Sequence, residues 1–147
     1  MVKLKKRKAD LKEVLDQVCK KYNLIVRQLS QEDESVNNHS YIADNEIILG
    51  DYEDDELKLI SFFHELGHHL IPFSLKKELD FNTLLIELEC WRLGVLEAHK
   101  FGVLFSDKAI EWGYNQAFSY VGHDERECVN WEQNCGAKLW RNKVREY

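Results

Sequence analysis

The stretch from residue 54 to residue 70 constrains this chain more than any other. Apolar Leu57, Leu59, Ile60, Phe62, Phe63, Leu66 and Leu70 recur at three- and four-residue intervals, the period of a helix and not of a strand. Asp54, Asp55 and Glu56 put negative charge where the N-terminal end of a helix is positive. Pro72, the single proline among 147 residues, bars continuation, because the residue before a proline disfavours helical dihedrals. The pattern predicts a helix over 54–70 around which the rest must be arranged.

Upstream, Leu11, Val14, Leu15, Val18 and Tyr22 predict an amphipathic helix over 9–22, ended by Asn23. Residues 24–29 read as a strand, and Tyr41-Ile42-Ala43 and Glu46-Ile47-Ile48-Leu49 as two more around an Asp44-Asn45 turn, since both turn residues tolerate left-handed backbone. Downstream, Asp80 or Asn82 caps a helix running to about residue 100, with Gly102 as its stop. Residues 107–121 and 125–142 read as two further helices, rich in rings: Trp112, Tyr114, Phe118, Tyr120, Trp131 and Trp140. The expected class is α+β, about five helices with a small antiparallel sheet of about three strands, in one domain over 1–147.

The formal net charge of −6 is unevenly spread. Residues 1–27 carry +6, whereas 28–57 carry −10 without one Lys or Arg. Lys3, Lys5, Lys6, Arg7 and Lys8 read as a solvated terminus, which argues against nucleic acid as a direct ligand. The acidic trio Glu32, Asp33 and Glu34 is expected in an exposed loop, where it can draw in a basic partner. No apolar run reaches the roughly 20 residues of a membrane span, so no membrane role and a cytoplasmic location are expected. Cys19, Cys90, Cys128 and Cys135 form no CxxC pair and read as buried thiols in a reducing compartment.

Inside the predicted central helix stands His64-Glu65-Leu66-Gly67-His68, the HExxH pattern. Four residues turn a helix by about 400°, so both histidines project from one face, as two imidazoles must to reach one metal ion. Glu65 lies about 100° around, able to act as a general base without being a ligand. Gly67 leaves a bare patch where another backbone can approach. A third ligand is required, and the next predicted helix offers Glu87, Glu89 and Glu97. Glu89 has Arg92 three residues on as an ordinary surface partner. Glu87 shares its face with Thr83, Leu84, Trp91 and Gly94 and has no cation at helical spacing, a costly place for a carboxylate unless something positive meets it. Glu87 is therefore the expected third ligand, ahead of Glu89, His99 and His123.

At these residues the chain resembles the ImmA/IrrE family of zinc metallopeptidases. Its members carry His-Glu-Leu-Gly-His and, later, Glu-x-Glu-Ala-Asn; here that second segment reads Glu87-Leu88-Glu89-Cys90-Trp91. Trp91 replaces the usual Asn, the Leu-Met-Pro run that often follows is absent, and no helix-turn-helix precedes. The resemblance covers about 8–105, leaving a helical extension over about 106–147. It implies a zincin-like, gluzincin-type fold and a Zn2+ ion held by His64, His68 and Glu87, with Glu65 as the catalytic base. It also implies cleavage of a cytoplasmic protein such as a transcriptional repressor. The alternative is a catalytically silent module of the same fold that binds and sequesters a regulator.

An oxyanion needs a further donor, and Tyr41, Tyr114, Tyr120 and His123 are the candidates. Asp107, Glu111 or Asp124 are expected to orient the histidines, and His69 either orients Glu65 or faces solvent.

Overall fold

The computed structural model describes residues 10–29, 40–52 and 54–119. The expected helix over 125–142, the acidic trio at 32–34, the basic start, and Tyr120, His123, Asp124, Cys128 and Cys135 lie outside them. In chain order the elements are α1 (Leu11–Tyr22), β1 (Ile25–Gln28), β2 (Tyr41–Ala43), β3 (Glu46–Leu49), α2 (Asp55–Leu70), α3 (Phe73–Glu78), α4 (Thr83–Lys100) and α5 (Asp107–Ser119). The class is α+β, with five helices among the described residues and a three-stranded sheet.

Caps fix the helix ends. Asp10 accepts from the Lys12 amide, Asp54 from that of Glu56, and Asn82 from that of Leu85 at 3.1 Å, which settles the α4 cap on Asn82. At the α4 C-terminus Gly102 adopts φ 79° and donates to the His99 carbonyl, while Val103 donates to that of Ala98. This Schellman arrangement also brings Val103 onto Ala98 in the core. The short α3, unforeseen in the sequence, starts directly after Pro72. Proline stops α2, and its fixed φ of −70° suits the entry to a new helical turn.

The sheet corrects one expectation: it is mixed, not antiparallel. Its order is β1-β3-β2, with β3 parallel to β1 (Ile25 opposite Glu46) and antiparallel to β2 (Tyr41 opposite Ile48). The hairpin itself forms as expected, with Asp44 at φ 54°. β3 carries the buried Ile47, Ile48 and Leu49 and takes the centre, because it is the strand with most apolar surface to cover. β1 and β2 therefore run antiparallel to each other with β3 between them.

Helix α2 runs through the middle of the molecule. Every residue from Leu59 to Gly67 is buried. On one side Phe62, Phe63 and Leu66 pack with Val14, Val18 and Ile47; on the other, Ile60 packs with Leu84, Leu88 and Trp91 of α4 and with Ile110 of α5. Burying each of Phe62 and Phe63 fully contributes about 2 to 3 kcal/mol. A helix covered all round leaves its polar residues no route to water, so Ser61, His64 and Glu65 must be met inside.

Two glycines set the distance between α2 and α4. A Cβ on Gly67 would lie 2.1 Å from the Cys90 carbonyl oxygen, and one on Gly94 would lie 2.2 Å from that of Phe63. The pairing of 67 with 90 and 63 with 94 makes the helices antiparallel and backbone-close along about a helical turn. The bare patch expected at Gly67 is therefore filled by α4.

Candidate metal centre

The approach of α4 carries Glu87 onto the histidine face of α2. Glu87 Oε2 lies 2.9 Å from His64 Nε2, Glu87 Oε1 lies 3.1 Å from His68 Nε2, and the two Nε2 atoms are 3.2 Å apart. One ligand atom from each residue falls within 4.8 Å of the others, a group able to hold a metal ion. His64 and Glu87 are buried; the side chain of His68 is 24% exposed and marks the side open to solvent.

The donor set fits a cation better than it fits itself. A single imidazole N–H cannot point at a carboxylate and a second imidazole at once. Although Glu87 Oε2 stands 2.9 Å from His64 Nε2, its alignment is not that of a hydrogen bond, and this buried oxygen has no hydrogen-bond partner among the described residues. The three groups nonetheless face one another closely enough that one ion could be shared among them.

Electrostatics agree. Burial pulls His68 down, but its hydrogen bonds with Cys90 and Glu87 outweigh this and push its pKa to about 10. Burial pushes Glu87 up, and the two histidines more than reverse it, to about 2. Without a metal, a protonated His68 thus neutralises Glu87, and a cation must displace that proton. Burial lowers His64 below the ordinary histidine value despite Glu87 beside it, favouring the neutral, ligating form.

Glu65 stands next to this set without joining it, its Oε1 3.9 Å from His64 Nε2. Burial raises its carboxyl to about 8. No protein family, curated protein or solved structure matches this chain. The site is consequently read from its own geometry.

Other candidates go elsewhere. Glu89 holds Arg92 through both carboxylate oxygens, the surface pairing expected for it. Glu97 is buried but engaged by Tyr22, by Lys21 at 3.1 Å and by Lys100 at 3.0 Å, tying the end of α1 to α4. His99 is outside the cluster, lowered by burial. His69 is exposed and meets the edge of the Tyr22 ring, 6.5 Å between centroids, instead of orienting Glu65. His64 Nδ1 is buried and has no hydrogen-bond partner among the described residues, so neither Asp107 nor Glu111 orients it, a correction to that expectation. Of the oxyanion candidates, Tyr41 is half-buried on the edge strand β2, and the Tyr114 side chain lies outside the described set.

Three neighbours went unrecognised in the sequence. Trp91 stacks on His64, ring centroids 3.9 Å apart and planes 20° apart. Cys90 hydrogen-bonds His68, and burial raises its thiol. The Tyr52 hydroxyl accepts from the Ser40 amide at 3.3 Å, within a network in which Ser40 Oγ meets Ser61 Oγ at 2.9 Å. Burial raises the Tyr52 phenol, and the charge of Glu65 adds to the effect. The sequence already put Trp91 on the Glu87 face, though with no role toward His64, and the same spacing could have flagged Cys90, three residues after Glu87. Tyr52 sits in a connection with no periodic signal.

Proposed function

We propose that the chain is a zinc-dependent endopeptidase that hydrolyses peptide bonds of a cytoplasmic protein, with a transcriptional repressor or similar regulator as the substrate class. One observation carries this reading: two imidazoles and a carboxylate come together within 4.8 Å, and a further residue, the buried Glu65, stands beside them outside the set. Nitrogen and carboxylate donors suit zinc, and three protein ligands leave the open position that separates catalytic from structural sites. The resemblance of the HELGH and Glu87 segments to ImmA/IrrE peptidases supports the same chemistry. No described helix is long and apolar enough to cross a membrane.

His64, His68 and Glu87 would hold a zinc ion, which would supply the Lewis acidity for activating a water and polarising the scissile carbonyl. Glu65 takes the proton of the attacking water and returns it to the amine nitrogen of the departing product. Burial sets its carboxyl near 8, so it exchanges a proton close to neutral pH, and a nearby cation lowers it into the basic form. The peptide approaches from the His68 side, the exposed edge of the cluster.

Metal analysis of untagged protein tests the site. About one zinc per chain is expected, and less than about half an equivalent, not restored by added zinc, would refute it. Glu65→Gln should keep the metal, lose cleavage, and trap the substrate for identification. Full biological activity in that variant would instead favour the module that sequesters a regulator.

A further inference from the structure

A metal-binding histidine ordinarily has its second ring nitrogen held by a carboxylate or carbonyl, which fixes both tautomer and ring plane. His64 lacks this: its Nδ1 is buried with no hydrogen-bond partner among the described residues. The terminal torsion of a histidine is broad, so the ring does not orient itself. What meets it is the face of Trp91, with centroids 3.9 Å apart and planes 20° apart. Turning the imidazole about its Cβ–Cγ bond would drive its edge into the indole.

Trp91 is itself held from α5. It is 4% exposed, and a Cβ on Gly113 would lie 2.9 Å from its Cε3, so the helix backbone abuts the six-membered edge of the indole. Trp112 meets Trp91 edge-on, 5.9 Å between centroids at 89°, and Tyr52 meets Trp112 in the same way at 5.4 Å. The indole Nε1 is buried without a hydrogen-bond partner among the described residues, so the ring, not its polar atom, is what the site uses.

We infer that Trp91 is a positioning residue for the metal centre, fixing the plane of His64 by stacking where a hydrogen bond usually does so, from a wall built by α5. The inference rests on the zinc-site reading. It gives α5, beyond the region of family resemblance, a part in metal binding without a ligand of its own.

Zinc affinity, measured by chelator competition, tests it together with the denaturation midpoint of each metal-free variant. Trp91→Leu should weaken zinc binding by about 10- to 100-fold, and Trp91→Phe, which keeps a ring face, should restore most of it. Val18→Ala loosens the other apolar cluster, which contains neither Trp91 nor any residue of α5; it should lower the midpoint and leave zinc affinity unchanged. Gly113→Ala, which pushes on the indole from α5, should weaken zinc binding and carries the test if Trp91→Leu does not fold. Wild-type affinity in Trp91→Leu, or an equal loss in Val18→Ala, overturns the positioning role. Absence of zinc binding in the wild type overturns the metal reading itself and is seen before any variant is made.

Discussion

Gly67→Ala probes the contact on which the whole centre depends. The added Cβ would lie 2.1 Å from the Cys90 carbonyl oxygen, against an ordinary separation of about 3.5 Å. The obstacle is helix backbone, which cannot rotate away, so α2 and α4 must part by about 1 Å. Overpacking of this kind costs about 3 kcal/mol at the upper end of its usual range. Alanine returns about 1 kcal/mol of helix propensity, leaving a net loss of about 2 kcal/mol. For a chain of this length that lowers the melting temperature by about 7 °C. Glu87 rides on α4 and moves with it, and because ligand geometry tolerates only about 0.5 Å, zinc affinity should fall at least tenfold. Thermal melting of metal-free protein by circular dichroism, with zinc titration against a chelating dye, measures both. A variant that melts at or above the wild-type temperature and binds zinc equally well would show that the helices are not held at backbone contact, and the account of the site would be wrong.

Gly94→Ala should behave alike, since its Cβ would meet the Phe63 carbonyl oxygen at 2.2 Å; melting curves of the two variants should nearly superimpose. Glu87→Ala should abolish high-affinity zinc binding while Glu89→Ala leaves it intact, and the reverse order in calorimetric titrations would reassign the ligand. Zinc binding near pH 7.5 should release more than one proton, one from His68, held near 10 in the metal-free protein, and part of a second from Glu65, held near 8; titrations in buffers of different ionisation enthalpy would expose a zero count. In that metal-free protein Glu65, raised to about 8, contributes stability present below the ordinary carboxylate value and lost as pH rises through 8. Urea midpoints should therefore fall from pH 5 to pH 8.5 in the wild type and fall less in Glu65→Gln; parallel slopes would contradict the burial assigned to this carboxyl.

What the chain spells out locally, it spells out in contiguous residues. The course of α2, its Asp54 cap and its end before Pro72 follow from charges, apolar spacing and one ring, all within a few turns. The Asp44 turn and the Gly102 stop were legible for the same reason, because left-handed backbone selects few residue types. Both histidines on one face are a consequence of the helical period alone. Glu87 was legible less directly, as a carboxylate with nothing positive near it in the sequence.

The tertiary structure decided the rest. That β3 lies between β1 and β2, making the sheet mixed, depends on which strand has most apolar surface to bury, a comparison among segments far apart in the chain. That Glu97 is taken by Tyr22, Lys21 and Lys100, while Glu87 faces the histidines, depends on where α1 packs. The 2.9 and 3.1 Å contacts of Glu87 exist because Gly67 and Gly94, 27 positions apart, remove the two Cβ atoms that would hold the helices apart. The sequence by itself determined that a helix presents two imidazoles on one face with a carboxyl beside them. Only the packing of α4 and α5 against it determined what those groups meet, because periodicity and capping act within a turn or two, whereas the distance between helices is set by side-chain volume brought together from remote parts of the chain.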